Sequence, residues 1–458
     1  MSTPPVSRRR VLRATVGLAA IGTTGPLLAL MERAAHSTTA RPDRRHLRAS
    51  DNGGYGPLRA PRRPRYASSG PADRAWLALP EGFVYATFGH TGERMSDGSP
   101  TPSRHDGMAA FHAPSDCGSV WLVRNHELSP GDVPPVVGAP TYDDGAAGGT
   151  TNLLFDTRRP RLLKHFATIA GTTRNCAGGP TPWGTWLTCE ETFDAGPDRP
   201  HGYVFEVPAD RPATAAKPLV EMGRFVHEAV AVDPASGFVY ETEDRTTAGF
   251  YRFRPKRPGS LADGGRLQML KVRHRPNYDT RTGQRVDEPL PVVWVDIDEP
   301  DPAAAAEPLT VYHQGAARGG ATFGRLEGAW YGNGSIHIVS TSGGDVGRGQ
   351  VWEYRPHDAR GGYLRLTFES TGVELLNSPD NITVSPKGSL VLCEDGDGAN
   401  TLRGVTRQGQ IFDVAQNVRN ASEIAGATFS PDGSTLFLNI QDPGLTVAIT
   451  GPWGRGAL

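Results

Sequence analysis

Cys176 stands where four carboxylates stand elsewhere in the chain: Asp106, Glu228, Glu327 and Asp380. Each heads a segment of one design: DGMAAFHAPSDCGSVWLVRNHE from Asp106, CAGGPTPWGTWLTCEE from Cys176, EAVAVDPASGFVYETED from Glu228, EGAWYGNGSIHIVSTSGGD from Glu327 and DNITVSPKGSLVLCEDG from Asp380. A further copy, AGATFSPDGSTLFLNIQD, is headed by Ala425. A second set falls where the segments close: Glu127, Glu190, Glu243, Ser342, Glu394 and Asn439. One acid at a strand end is ordinary turn chemistry; acids phased to the same place in successive repeats are not required by it. Carboxylates crowded together repel one another and lose hydration, so they stay ionised only with cations among them. A thiolate in such a ring points to a transition metal, iron or zinc ahead of calcium, and the all-oxygen positions suit calcium.

Positioning these groups falls to hairpins. Each copy reads as a short strand, a turn such as Ser385-Pro386-Lys387-Gly388 or Ser430-Pro431-Asp432-Gly433, and a β-branched or aromatic strand. A third strand follows several copies, as in GYVFEV from Gly202, GFYRF from Gly249, GQVWEY from Gly349 and GQIFDV from Gly409. Repeats of about 40–50 residues with three or four strands mark propeller blades. The expected fold is therefore all-β, a six-bladed β-propeller with inserted loops and short helices. In that fold the first strand of each blade lines the channel, so the residues that head the copies form a ring. Closure should come from Phe83 to Phe88 pairing with Leu445 to Ile449, which removes the exposed edges.

The insertions offer further candidates. Tyr142-Asp143-Asp144-Gly145 lies in a loop rich in Gly, Pro and Asp. Between Asp244 and Glu327 the pattern predicts a strand over 292–297 and a helix over 301–313. GAARGGATFGR follows, where a Gly-rich turn with Arg318 and Arg325 could receive an anion. His105, His126 and His227 each adjoin an acid of the two sets, which suggests binding or proton transfer. Of the four cysteines, Cys117, Cys189 and Cys393 read as packing residues; the last two occupy matching sites, hence different blades.

Residues 1–40 read as a twin-arginine export signal: Ser7-Arg8-Arg9-Arg10 followed by an uncharged apolar run from Ala14 to Leu30, too short and Gly-rich for a membrane anchor. Residues 41–74, rich in Arg, Pro, Gly and Ser, read as a flexible lead-in, and 75–458 as a single propeller domain that carries catalysis. A formal net charge of -1 does nothing to favour nucleic acid as a partner. The expected product is a monomer, delivered by the twin-arginine machinery to the cell envelope (periplasm) or the extracellular space.

The motifs HDGMAAF, RNHEL, NCAGGPTPWGTWLTCEE, HEAVAVDP with TED, LEGAWY and SPDNITVSPKGSLVLCEDG resemble those of the PhoX-type alkaline phosphatases, over residues 76 to 455. The resemblance implies a six-bladed propeller that carries an iron pair (Fe3+) and several calcium ions at the channel mouth and cleaves phosphate esters with a metal-bound oxygen or hydroxide. Carried onto this chain, Cys176 becomes an iron ligand and catalytic residue, while Glu228, Glu327, Asp380 and Glu394 share iron, calcium and catalytic duties. Asp106, Glu127, Glu190, Glu191, Glu243 and Asp244 are further metal positions, and His126, His227, Arg318 and Arg325 are the substrate-binding candidates. Two other classes remain: a calcium-dependent, lactonase-like propeller hydrolase, against which Cys176 argues, and a binding propeller without catalysis.

Overall fold

The strands form where β-branched and aromatic residues run between Gly, Pro and Asp turns, and most are buried on both faces. Ser335–Ser340 (SIHIVS) and Thr435–Ile440 (TLFLNI) have every residue buried, because each sheet packs against a neighbour on either side. The turns obey their residues: Gly388 (φ 84) and Gly433 (φ 71) each donate their N–H to the carbonyl three residues back, Ser385 and Ser430, both at 2.8 Å. The computed structural model describes residues 48–458 apart from 62, 69–73, 114–117, 195, 197 and 304–305. The expected twin-arginine signal, residues 1–40, and Cys117 lie outside the described residues.

The architecture is all-β and propeller-like. It does not divide into six separate sheets. One sheet runs His105–His112, Ser119–His126, Gly148–Asp156 and Arg161–Thr172; another holds Asn175–Pro180, Thr185–Glu190 and Val204–Pro208. Pro379–Val384, Leu390–Glu394, Thr401–Val405 and Ile411–Asn417 form the next, edged by Leu77–Ala78. The last hairpins, Ile424–Phe429, Thr435–Ile440 and Leu445–Thr450, are closed by Val84–Phe88, with Thr446 opposite Phe88 and Thr450 opposite Val84. The remaining sheet has nine strands, with His227–Val232 at one end and Leu326–Gly332 at the other. Its joint is the inserted strand Pro289–Asp296, which pairs with Gly265–Val272 on one side and Gly361–Glu369 on the other. The expected strand thus exists, but it welds two sheets. The inserted helix is Thr310–Ala317, later than the expected 301–313.

Six strands begin the hairpins: His105–His112, Asn175–Pro180, His227–Val232, Leu326–Gly332, Pro379–Val384 and Ile424–Phe429. Each lies beside the next, and the last lies beside the first, so they surround one axis. They approach so closely that small side chains are needed there. A Cβ on Gly107 would sit 2.5 Å from Ala177 Cα, and one on Gly328 2.6 Å from the Asp380 carbonyl oxygen. The void left among these residues is about 10 Å³, the space of one water.

Within the expected lead-in, several described residues pack against the sheets. Tyr55 is buried, its ring edge-on to Phe83 and Trp453 (5.3 and 6.1 Å), and its hydroxyl accepts the Leu458 N–H at 2.9 Å. Tyr66–Ala67 adds a parallel strand beside Val84–Phe88. One aromatic anchor and a few backbone pairs order a segment whose composition is otherwise that of a linker.

Candidate metal centre at the channel mouth

The ring residues reach the axis through a device repeated six times. Asp106, Cys176, Glu228, Glu327, Asp380 and Ala425 are each the second residue of their inner strand. In all six hairpins the pairing register breaks right there, between His105 and Met108, Asn175 and Gly178, His227 and Val230, Leu326 and Ala329, Pro379 and Ile382, and Ala425 and Thr428. In the first five a bulge takes the residue out of the ladder and re-aims its side chain, whereas Ala425 stays paired with Asn439 and the bulge follows it. The residue before each strand or its bulge accepts a backbone hydrogen bond from the residue that leaves the second strand. Glu127 donates to Arg104, Glu191 to Arg174, Asp244 to Val226, Thr341 to Arg325 and Asp395 to Ser378 at 2.9–3.1 Å, and Gln441 to Glu423 at 3.4 Å.

Three tiers therefore meet at one mouth, and their donor atoms cluster. Cys176, Glu191 and Glu228 bring ligand atoms within 4.8 Å of one another, as do Glu228, Glu327 and Asp380; Asp106, Glu127 and Glu423; and Asp380, Asp395 and Glu423. Glu228, Asp380 and Glu423 are each shared between two groups, so the four sets form one continuous site. Burial, with repulsion from Glu327 and Asp380, drives the Glu228 carboxyl well above the carboxylate range. Burial, with Glu127 and Asp380, does the same for Asp106. Asp380 is pushed up to about 7 by burial and Asp395, and the Cys176 thiol well up by burial, Asp106 and Glu228. Both oxygens of Glu228 and Oδ1 of Asp106 are buried with no hydrogen-bond partner among the described residues. Buried polar atoms are nearly always paired, so these orphaned oxygens beside a thiol fit cations: a transition metal at Cys176 and hard cations at the all-oxygen groups.

Several sequence candidates sit elsewhere. Glu190, Glu243 and Glu394 turn away from the mouth and tie down backbone. Glu190 accepts the N–H of Thr173, Gly202 and Tyr203 at 2.9–3.1 Å. Glu243 accepts Gly249 N–H and the Tyr251 hydroxyl, both 2.8 Å, and Glu394 accepts Asn377 and Thr401 N–H at 3.0 Å and Arg403 Nε at 2.8 Å. Their successors Glu191, Asp244 and Asp395 face the site instead, since adjacent strand residues point to opposite faces. His126 has both ring nitrogens engaged, by the Ser103 carbonyl and Thr151 Oγ1 (2.8 Å each), and His227 by the Gly202 carbonyl and Glu241 (3.0 Å each). Burial pushes His227 down to about 3 and His126 well below its usual value, so neither is a proton carrier for a substrate. Arg318 forms a surface ion pair with Asp298. Arg325 does reach the mouth, holding Asp244 with Nε and Nη2 (2.9 and 3.1 Å) and Glu327 with Nη2 (2.6 Å). Glu423 and Asp395 were missed by the sequence reading.

Behind the mouth, His201 lies between two carboxylates. Its Nδ1 meets Glu190 Oε1 at 2.5 Å and its Nε2 meets Asp143 Oδ2 at 3.4 Å, all buried. Burial alone lowers an imidazole, but hydrogen bonds and charge from Glu190 and Asp143 outweigh it and raise His201. A raised folded value gives stability that is complete below the unfolded value of about 6.5 and is lost as pH climbs through the folded one. Thermal melts of parent and His201→Gln should therefore differ most below pH 6.5 and converge with rising pH. A difference that grows with pH contradicts the charged triad.

The family described as alkaline phosphatase PhoX matches residues 64–444 of this chain. A solved structure of Pseudomonas fluorescens PhoX in complex with vanadate, a transition state analogue, superposes with a TM-score of 0.67 at 17% identity, covering 84% of this chain and 97% of that one. Virginiamycin B lyase from Staphylococcus aureus gives 0.38 at 12% identity (80% and 99% covered), and a gluconolactonase from Xanthomonas campestris 0.36 at 13% (77% and 97%). No curated protein matches the chain.

Proposed function

Because the chain belongs to the alkaline phosphatase PhoX family of phosphoric ester hydrolases, we propose that the channel mouth is its phosphatase site, built on a six-bladed ring in which the nine-stranded sheet counts as two blades. The observation that carries this reading is the continuous set of buried donors from Asp106, Cys176, Glu228, Glu327 and Asp380, joined by Glu127, Glu191, Asp395 and Glu423. Bound there, iron at Cys176 and calcium at the all-oxygen groups supply Lewis acidity, which draws charge from phosphoryl oxygens and lowers the pKa of water.

The chain's own residues set the rest. The bulged strands hold the donors on a scaffold rigid enough to need no rearrangement as charge develops. Arg325, fixed by Asp244 and Glu327, keeps its Nη1 without a partner among the described residues, and its side chain is 39% exposed. That N–H is free to bind an equatorial oxygen of the ester, while Asp244 fixes the direction from which it does so. Protons compete with cations for the raised carboxylates, Asp380 near 7 among them, so activity rises towards alkaline pH. One chain supplies every donor, so a monomer suffices.

The test is hydrolysis of an aryl phosphate at alkaline pH, before and after a strong chelator. Hydrolysis that the chelator abolishes and added metal restores is expected; full activity in the chelated protein refutes the metal role. The reading extends to export of the folded protein through the twin-arginine pathway. Lys in place of both Arg8 and Arg9 should leave the precursor in the cytoplasm, and normal export of that variant refutes it.

A further inference from the structure

Arg174 has a backbone that its own residue type disfavours. Its φ is +50°, in the left-handed region, as are those of Arg104 (+49°) and Arg325 (+44°) at the corresponding places before other inner strands. Glycine takes this conformation without strain, whereas an L-residue gives up on the order of 1 kcal/mol to do so. Ser378 shares the conformation (φ +53°) before Pro379–Val384, so the repeated turn sets this backbone and leaves the Arg174 side chain to do other work.

What it does is span two donor groups. Nη2 of Arg174 donates to Glu191 Oε2 and lies 2.8 Å from Glu127 Oε1 as an ion pair, while Nε donates to the Glu191 carbonyl at 3.1 Å. Glu127 belongs to the group with Asp106, and Glu191 to the group with Cys176 and Glu228. The other oxygen of Glu127 is fixed too: Gln441 Nε2 donates to it at 2.9 Å, and Arg104 holds the Gln441 carbonyl at 3.0 Å.

We propose that Arg174 is a positioning residue that sets the spacing between these two cation-binding groups, rather than a counter-charge that merely neutralises them. This rests on the proposed cation-binding mouth. The alternatives differ in sign. Removing a counter-charge leaves more negative charge and tightens cation binding; removing a positioning fork lets two carboxylates splay and weakens it, by about tenfold or more for groups that orient metal ligands.

The experiment is calcium titration of the chelator-stripped full chain by calorimetry, for the parent, Arg174→Gly, Arg174→Asn and Arg174→Lys. Glycine and asparagine both tolerate the backbone conformation, so at least one folded variant without the guanidinium is secured. Calcium binding about tenfold weaker in the Gly and Asn variants is the expected result, with Lys keeping the charge but losing the Nε contact to the Glu191 carbonyl. Tighter or unchanged binding in the Gly and Asn variants overturns the positioning role. A parent chain that takes up no calcium overturns the reading of the mouth, and this inference with it.

Discussion

Glu228→Gln is expected to reduce phosphate ester hydrolysis by at least about a hundredfold, the upper range of loss seen when even an indirect partner of a metal ligand is removed, while the cation-stripped variant melts no lower than the stripped parent. Both halves follow from the same two atoms. Glu228 is fully buried, and neither of its oxygens has a hydrogen-bond partner among the described residues. It also faces Glu327, Asp380, Glu191 and Asp106, all of which oppose its ionisation. Without cations it is a liability to the fold, and a neutral amide of the same shape lessens it. With cations it is the donor common to the Cys176 and Asp380 groups, so an amide there disconnects the site. Activity and cation-free melting temperature are the measurements; a variant that loses cation-free stability yet keeps activity shows that Glu228 is structural.

Cys176→Ala is expected to lose most bound iron and at least about a hundredfold of activity while keeping its fold. The chain carries its own precedent, since Ala425 occupies the equivalent position of another inner strand and is fully buried there. The backbone at Cys176 is held independently of its thiol: Asn125 Nδ2 donates to the carbonyls of Cys176 and Ala177 at 3.1 and 2.7 Å. Burial and the surrounding acids keep a bare thiol protonated here, so a thiolate at this place requires a cation beside it. Elemental analysis of parent and variant decides the matter; unchanged iron content removes Cys176 from the ligand set.

The ring was legible in the sequence because one repeat register placed a chemically distinctive residue at the head of each copy. The second tier was readable only to within one residue. Glu190-Glu191, Glu243-Asp244 and Glu394-Asp395 are doublets, and which member faces the mouth depends on the pleat and on a bulge in the partner strand, neither visible in one-dimensional order. The same limit misplaced the histidines: His126 and His227 adjoin Glu127 and Glu228 in sequence and point to the opposite face. Glu423 escaped because it precedes its strand, at the place that holds arginine in three other copies, and offers a carboxylate where Ala425 has none. The inserted strand could be read from its β-branched and aromatic run, but its partner on the far sheet could not, so one sheet of nine strands stands where two were expected.

The most direct test is anomalous diffraction from crystals of the purified protein, with data on both sides of the iron absorption edge. A peak bonded to Cys176 Sγ and shared with Glu228, ringed by further density among Asp106, Asp380 and Glu423, is the predicted result. A mouth free of any such peak, in protein that hydrolyses phosphate esters, contradicts the assignment of catalysis to this ring.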